Sequence, residues 1–154
     1  MRGVQVSERL AEPPTPVKLM VSRVAHHSYA YKTTERAQFD RALDAARAAG
    51  VDDALLLTPT GLVAEAAIWS VLWWEGRQLC GPAFDLGILP GVGRARLTEL
   101  AGPIEERHSS LEELRGLPLF LVNAVRGVVS VATLDGQPVP ESRETEALAR
   151  RFWP

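Results

Sequence analysis

Three groups in this sequence could act together in chemistry: an amine, a carboxylate and a turn that leads into a helix. Lys32 lies close to two tyrosines, and a lysine that loses water there becomes a better nucleophile. Glu65 stands in an otherwise apolar stretch, where a buried carboxylate needs a partner. Residues 89–94 read Leu-Pro-Gly-Val-Gly-Arg, and the first N–H groups of a helix that follows such a turn suit a phosphate.

Each feature also has a plainer interpretation: a surface lysine, a solvent-facing acid on a half-buried strand, and an ordinary loop before a helix. Together, however, the three groups are what pyridoxal 5′-phosphate (PLP) requires of a protein. An amine forms the Schiff base, a carboxylate keeps the pyridinium nitrogen protonated, and a helix start takes the phosphate. The chain has only two lysines, Lys18 and Lys32, so the choice of amine is narrow.

The composition is that of a single globular domain and argues against several other classes. The chain has 154 residues and a formal net charge of −2, unlike a strongly basic nucleic-acid binder. No apolar run is long enough to span a membrane, and the N-terminus has no apolar signal core. We therefore expect a cytoplasmic protein with no nucleic-acid or membrane partner.

Metal and thiol chemistry are not expected. His26 and His27 are adjacent, so on a strand they would point to opposite faces and could not easily share an ion. Cys80 is the single cysteine, which excludes an internal disulfide and indicates a small packed thiol.

The order of apolar runs and turns predicts a mixed α/β fold with a largely antiparallel, barrel-like sheet. We expect about seven short strands and about four helices. The helices should cover 35–49, run from about Val92 to Gly102, follow a capping box at Ser110, and cover 141–152. A two-residue turn at Glu75-Gly76 should form a hairpin, and the strand with Trp69, Trp73 and Trp74 should be buried on both faces or lie at an interface.

The chain resembles the fold-type IV PLP-dependent enzymes, the class IV aminotransferase family, over about residues 17–139. The landmarks occur in the family's order: the Lys32 segment and its helix, Asp53-Ala54-Leu55-Leu56-Leu57, Glu65, Ile88-Leu89-Pro90-Gly91-Val92-Gly93-Arg94, Glu106-Arg107, and Leu121-Val122-Asn123-Ala124-Val125-Arg126-Gly127. The resemblance implies the family's large domain and PLP as cofactor.

The resemblance also implies roles for individual residues. Lys32 matches the Schiff-base lysine and Glu65 the pyridinium partner. Val92 and Gly93 match the backbone donors to the phosphate. Ala124 matches a further phosphate contact, where the family often has a hydroxyl residue. Arg36 is implied as a further cofactor-binding residue, one position before the one where branched-chain members have a tyrosine that touches the cofactor. The pattern Lys-Thr-Thr-x-Arg is more like the aminodeoxychorismate lyase branch, in which 4-amino-4-deoxychorismate becomes 4-aminobenzoate and pyruvate.

Several positions depart from the family pattern. Ala66, Ala67 and Ser70 replace polar residues that usually follow the glutamate, and Gly93 replaces a threonine. These changes leave open an aminotransferase of the branched-chain or D-amino acid type, or a non-catalytic homologue.

The resemblance implies a domain arrangement as well. Residues 1–16 are proline-rich and look like an interdomain linker, and 17–154 form the large domain. The family's small N-terminal domain is not expected in this chain. The implied partners are a small-molecule substrate, a second copy in a homodimer, and a separate chain that carries the small domain.

Overall fold

Nine β-strands and three α-helices make up the part of the chain that the computed structural model describes, residues 15–28 and 35–154. In chain order the elements are β1 Val17–Val21, α1 Ala37–Ala48, β2 Asp53–Leu57, β3 Val63–Ala66, β4 Ser70–Glu75, β5 Gln78–Pro82, α2 Val92–Ala101, β6 Glu105–Arg107, β7 Leu119–Asn123, β8 Gly127–Leu134, β9 Gln137–Pro138 and α3 Arg143–Arg151. Single 3₁₀ turns lie at Phe84–Leu86 and Glu112–Leu114.

All of these strands belong to one mixed sheet. The order is β3-β2-β1-β8-β7-β4-β5-β6, and β9 pairs with β8 beside this path. Parallel pairing joins β1 to β2, β1 to β8 and β5 to β6, whereas the other pairs are antiparallel. The predicted mixed α/β fold with a largely antiparallel sheet is confirmed.

The sheet curls so that its inner face closes on itself. Val63 and Ala66 of β3 pack in the same buried cluster as Trp73 of β4 and Cys80 of β5, although β3 and β4 are five positions apart in the strand order. Trp74 points to the outer face and packs with residues of α2 and α3. The strand with the tryptophans is therefore buried on both faces, as the sequence predicts.

The prediction of about four helices is wrong by one, at Ser110. The capping box forms, since Glu113 N donates to Ser110 Oγ at 3.3 Å and Ser110 N donates to Glu113 Oε2 at 3.0 Å. Only a 3₁₀ turn follows, at Glu112–Leu114. Gly116 and Pro118, both poor helix formers, come too soon for the helix to continue.

Two smaller predictions are also corrected. Glu75 pairs with Gln78, so the turn of the β4–β5 hairpin is Gly76-Arg77 and lies one residue later than expected. The described part of the chain has nine strands rather than about seven, and the short β9 after the Asp135-Gly136 turn is one that the predicted pattern lacks. Among the described residues, no helix is both long and apolar enough to cross a bilayer.

Two helices lie next to the residues that the sequence analysis singled out. α1 packs Phe39, Ala42 and Ala46 on β2 and covers the outer face of β2 and β3. α2 starts directly after Gly91 and ends directly before Gly102, as the turn and stop signals predict. Both helices begin near the end of β3, which carries Glu65.

Candidate active site

Glu65 is held by a histidine in the outer face of β3. Its carboxylate oxygen Oε2 lies 2.7 Å from Nε2 of His26. His26 is 1% exposed and Glu65 is 8% exposed, so the pair is almost entirely shielded from solvent. The partner that the sequence analysis required for Glu65 is therefore His26, which that analysis considered only as a metal ligand and rejected in that role.

Glu65 shares its face of the sheet with α1. It lies directly opposite Leu56 in the β2–β3 ladder, and residues in that relation point to the same side. Leu56 packs with Phe39 of α1 and with Leu89, which stands just before α2. Hence the Glu65 carboxylate and the approach to the α2 start lie on one side of the molecule.

The connection from β3 to β4 is clamped by Asp53. Oδ1 of Asp53 accepts from Ala54 N at 2.6 Å and from Ala67 N at 3.2 Å, and Oδ2 accepts from Ile68 N at 3.2 Å. Asp53 is fully buried. Burial raises the pKa of this carboxyl above its ordinary value, and the three backbone hydrogen bonds oppose that rise. The clamp holds the segment that immediately follows Glu65.

The start of α2 presses against the end of β7. A Cβ on Gly93 would lie 2.9 Å from Val122 Cγ2 and 3.0 Å from the carbonyl carbon of Asn123, so only glycine allows this approach. A Cβ on Gly91 would lie 3.1 Å from Ser70 Oγ. No side chain caps the helix, which leaves its first N–H groups available to a ligand.

The β7–β8 turn is shaped by Asn123. Its Oδ1 accepts from Val125 N at 3.0 Å and from Arg126 N at 2.7 Å, and its Nδ2 donates to Ile68 O at 3.1 Å. Neither of these two hydrogen bonds in the turn uses the backbone amide of Ala124, and Ala124 is an exposed residue. Asn123 also lies against Gly93, so the β7–β8 turn and the α2 start are neighbours. The prediction that both bind one phosphate requires this proximity.

Lys32 lies outside the described residues. The described chain on either side of it contacts the site. On one side, a Cβ on Gly87 would lie 2.8 Å from Ser28 Cα, so Ser28 packs against the loop that leads to α2. On the other side, Arg36 donates from Nη2 to Ala67 O at 2.8 Å. The role of Lys32 remains a prediction.

Arg36 takes the N-cap position of α1, and its guanidinium stays close to the protein. Besides the bond to Ala67 O, it lies over the ring of Phe39 at 5.2 Å and near Asp40 at 3.8 Å. In these contacts Arg36 ties the start of α1 to the segment after Glu65. Its predicted cofactor contact stays a prediction.

The structure brings together most of the residues that the sequence analysis named. Glu65, Val92, Gly93, Ala124 and Arg36 lie on elements that meet at one edge of the sheet. Three further residues were missed as parts of the site: His26, Asp53 and Asn123. The sequence indicated that Glu65 needs a partner, but it did not show that this partner is His26. It gave no such signal for Asp53 or Asn123.

Other candidate groups lie away from this edge or are buried without reactivity. Burial raises the pKa of the Cys80 thiol to about 11, as expected of a packed cysteine. Arg94 is buried as well, where it donates to Pro82 O at 2.7 Å and lies over Phe84 at 4.2 Å. In the described ranges, no cluster of three or more His, Cys, Asp or Glu side chains could hold a metal ion.

Comparison with known proteins identifies the family of this chain. The family model for class IV aminotransferases matches residues 4–134. This chain therefore belongs to the class IV aminotransferase family. No curated protein matches it.

Three solved structures are similar to the chain. A Thermotoga maritima protein described as a branched-chain amino acid aminotransferase is 30% identical, with a TM-score of 0.81, over 93% of this chain and 56% of that one. A Legionella pneumophila protein described as a 4-amino-4-deoxychorismate lyase is 24% identical, with a TM-score of 0.81, over 89% and 55%. A Brucella abortus aminotransferase bound to PLP is 22% identical, with a TM-score of 0.79, over 91% and 54%.

These matches confirm that the described domain has the large-domain fold of fold-type IV enzymes. They also show that the chain spans little more than half the length of the solved structures it matches.

Proposed function

We propose that this chain binds PLP at the edge formed by β3, the α2 start and the β7–β8 turn, and uses it in the chemistry of a substrate amine. The observation that carries the proposal is the buried Glu65 carboxylate on the same face as the approach to an uncapped helix start. Family membership supports it, and so does the PLP bound to the similar Brucella abortus aminotransferase.

The residues present fit this cofactor. The Gly93 position leaves room only for backbone, so N–H groups rather than side chains face a ligand at the start of α2. The Glu65 carboxylate is a suitable acceptor for a protonated pyridine nitrogen. The donor set thus matches a dianionic phosphate at one end and a pyridinium at the other.

Each residue has a distinct task in this proposal. The amides of Val92, Gly93 and Ala124 bind the phosphate. Glu65 would hold a proton on the ring nitrogen. Lys32 would supply the amine that holds the cofactor's aldehyde carbon and, once the substrate amine has displaced it, the free amine would move a proton at the substrate's α-carbon. PLP, when bound, supplies an electron sink for the bonds at that carbon.

Two reactions remain candidates for the same site. The Lys-Thr-Thr-x-Arg pattern around Arg36 favours a lyase of the aminodeoxychorismate type, which releases pyruvate. The 30% identity with the Thermotoga maritima protein favours an aminotransferase acting between amino acids and 2-oxo acids. We propose the lyase as the first reaction to test because of this pattern. Pyruvate release and amino transfer can be measured separately in one preparation.

The cofactor proposal is tested by labelling. Adding PLP to the purified chain should produce an absorption band in the visible or near ultraviolet, and borohydride should then fix a pyridoxyl group on Lys32. Lys32→Ala should abolish both signals. Lys18→Ala is the matched control, since Lys18 is the only other lysine and lies exposed on β1. A label on Lys18, or identical spectra with and without Lys32, would contradict the proposal.

This chain spans little more than half of each matched structure. We propose a homodimer, or a separate chain that supplies the small domain, as the active form. Activity that appears only when such a chain is added would support the second arrangement, and activity of a dimer of this chain alone would support the first.

A further inference from the structure

The imidazole of His26 has one hydrogen-bonded nitrogen and one that is bare. Nε2 lies 2.7 Å from Glu65, whereas Nδ1 is buried and has no hydrogen-bond partner among the described residues. A buried N–H without an acceptor is costly, but a buried nitrogen lone pair without a donor costs less. The arrangement therefore favours the neutral tautomer with its proton on Nε2.

The surroundings of His26 hold its ring in place. The ring meets Phe39 edge-on, with centroids 6.1 Å apart, and the backbone N–H of His26 donates to Leu57 O at 2.7 Å. In the tautomer with its proton on Nε2, the imidazole donates that N–H to Glu65.

We propose that His26 is a positioning residue: its neutral imidazole donates from Nε2 to one oxygen of Glu65 and fixes the carboxylate toward the ring nitrogen of the cofactor. The inference rests on the proposed function, because it gives Glu65 a pyridinium to face. A carboxylate has two oxygens, and with one held by His26 the other is oriented for the ligand. A neutral donor orients Glu65 and leaves its charge in place, whereas a lysine or arginine partner would offset that charge.

The tautomer is tested first, on the chain without cofactor. Long-range ¹H–¹⁵N correlation of histidine side chains should show His26 as a neutral ring protonated at Nε2. His27, which is adjacent but exposed, provides the reference signal. A His26 signal protonated at Nδ1 would overturn the proposal whether or not the chain binds PLP.

The positioning role is tested by cofactor affinity with two ligands. We expect His26→Leu to weaken PLP binding about ten- to a hundredfold, because Glu65 loses its only described donor. Binding of the PLP analogue in which a carbon replaces the ring nitrogen should change little, since that analogue gives Glu65 nothing to hold. Equal losses for both ligands would show that His26 supports only the fold and would overturn the proposal.

Conservative variants keep the test valid if His26→Leu does not fold. The amide nitrogen of Gln reaches about as far as Nε2, whereas that of Asn reaches only as far as Nδ1. His26→Gln should therefore retain PLP affinity within about threefold, and His26→Asn should lose it as the leucine variant does. Similar affinities for the two variants would overturn the inference. If the unaltered chain binds no PLP, the proposed function fails, and the NMR result still decides whether the His26–Glu65 pair exists.

Discussion

Two buried carboxylates lie within the same part of the sheet, and their partners give them different tasks. Asp53 accepts three backbone N–H groups and closes on the chain itself. Glu65 has a single described partner, His26, and retains a small exposed area. A carboxylate saturated by backbone donors is structural, whereas one held at a single oxygen can still receive a ligand.

Asp53 should therefore matter for stability. Asp53→Asn replaces one acceptor oxygen by an NH₂ group that faces a backbone N–H, and we expect it to lower the free energy of unfolding by about 1–3 kcal/mol. Asp52→Asn is the control: Asp52 is exposed and accepts only Lys18 N, at 2.8 Å. Urea denaturation of both variants measures the difference. Equal midpoints for the two would show that the clamp is unimportant.

At the scale of elements, the site depends on how closely α2 approaches β7. Gly93→Ala should push the helix start away from Val122 and Asn123, because the added Cβ would meet the backbone carbon of Asn123 at 3.0 Å. We expect PLP affinity to fall by about tenfold, the effect of one displaced hydrogen-bond donor. Titration of the absorption band measures it.

Gly91→Ala is the matched control for this change. Its Cβ would meet only Ser70 Oγ, at 3.1 Å, and that side chain can rotate away. The φ of Gly91 is −67°, which any residue adopts. A loss of affinity in Gly91→Ala as large as that in Gly93→Ala would contradict the packing explanation.

The edge strand β6 is attached by an ion pair that should respond to pH. The hydrogen bond from Trp73 and the guanidinium of Arg107 hold the pKa of Glu75 below its ordinary value of 4.5. The folded state thus binds fewer protons than the unfolded state near this pH. The stabilisation is complete above about pH 4.5 and is lost as the pH falls through the lowered pKa.

Glu75→Gln removes this contribution. Wild type should exceed the variant by at most about 1 kcal/mol at pH 7, because the pair is partly exposed, and the gap should close in acid. Glu112→Gln, in an exposed pair with Arg115, is the control. Denaturation curves at several pH values decide this, and a gap that widens in acid would contradict the assigned direction.

At the scale of the whole molecule, one continuous sheet joins the regions on its two faces. α3 packs Leu148 on the outer face beside Trp74, Phe120 and Leu97 of α2. The indole N–H of Trp74 donates to Thr145 Oγ1 of α3 at 3.0 Å. The C-terminal helix is thus built into the core behind the site.

Leu148→Ala should lower the free energy of unfolding by about 2–5 kcal/mol, since it leaves a cavity against the sheet. Circular dichroism and tryptophan fluorescence should report the same midpoint, because α3 and the tryptophan strand share one cluster. Leu100→Ala, at the partly buried margin of that cluster, should cost less. Separate midpoints for the two probes would show that α3 unfolds independently.

Local sequence signals account for most of the elements and for the chemistry expected of the site. The Gly91 and Gly102 boundaries of α2, the strand at Glu65 and the family resemblance all follow from short stretches of residues. The same kind of signal failed at Ser110, because a capping box can start a helical turn but cannot sustain it against Gly116 and Pro118.

The sequence by itself determined the class of residue at each position of the site: an amine, an acid and backbone amides at a helix start. Only the tertiary structure decided which residues complete them. His26 and Glu65 are 39 positions apart, and Asp53 and Ile68 are 15 apart. Their contacts depend on the pairing of β1, β2 and β3. Spacing along a chain encodes the period of one element, whereas the pairing of elements depends on packing that no single stretch of sequence contains.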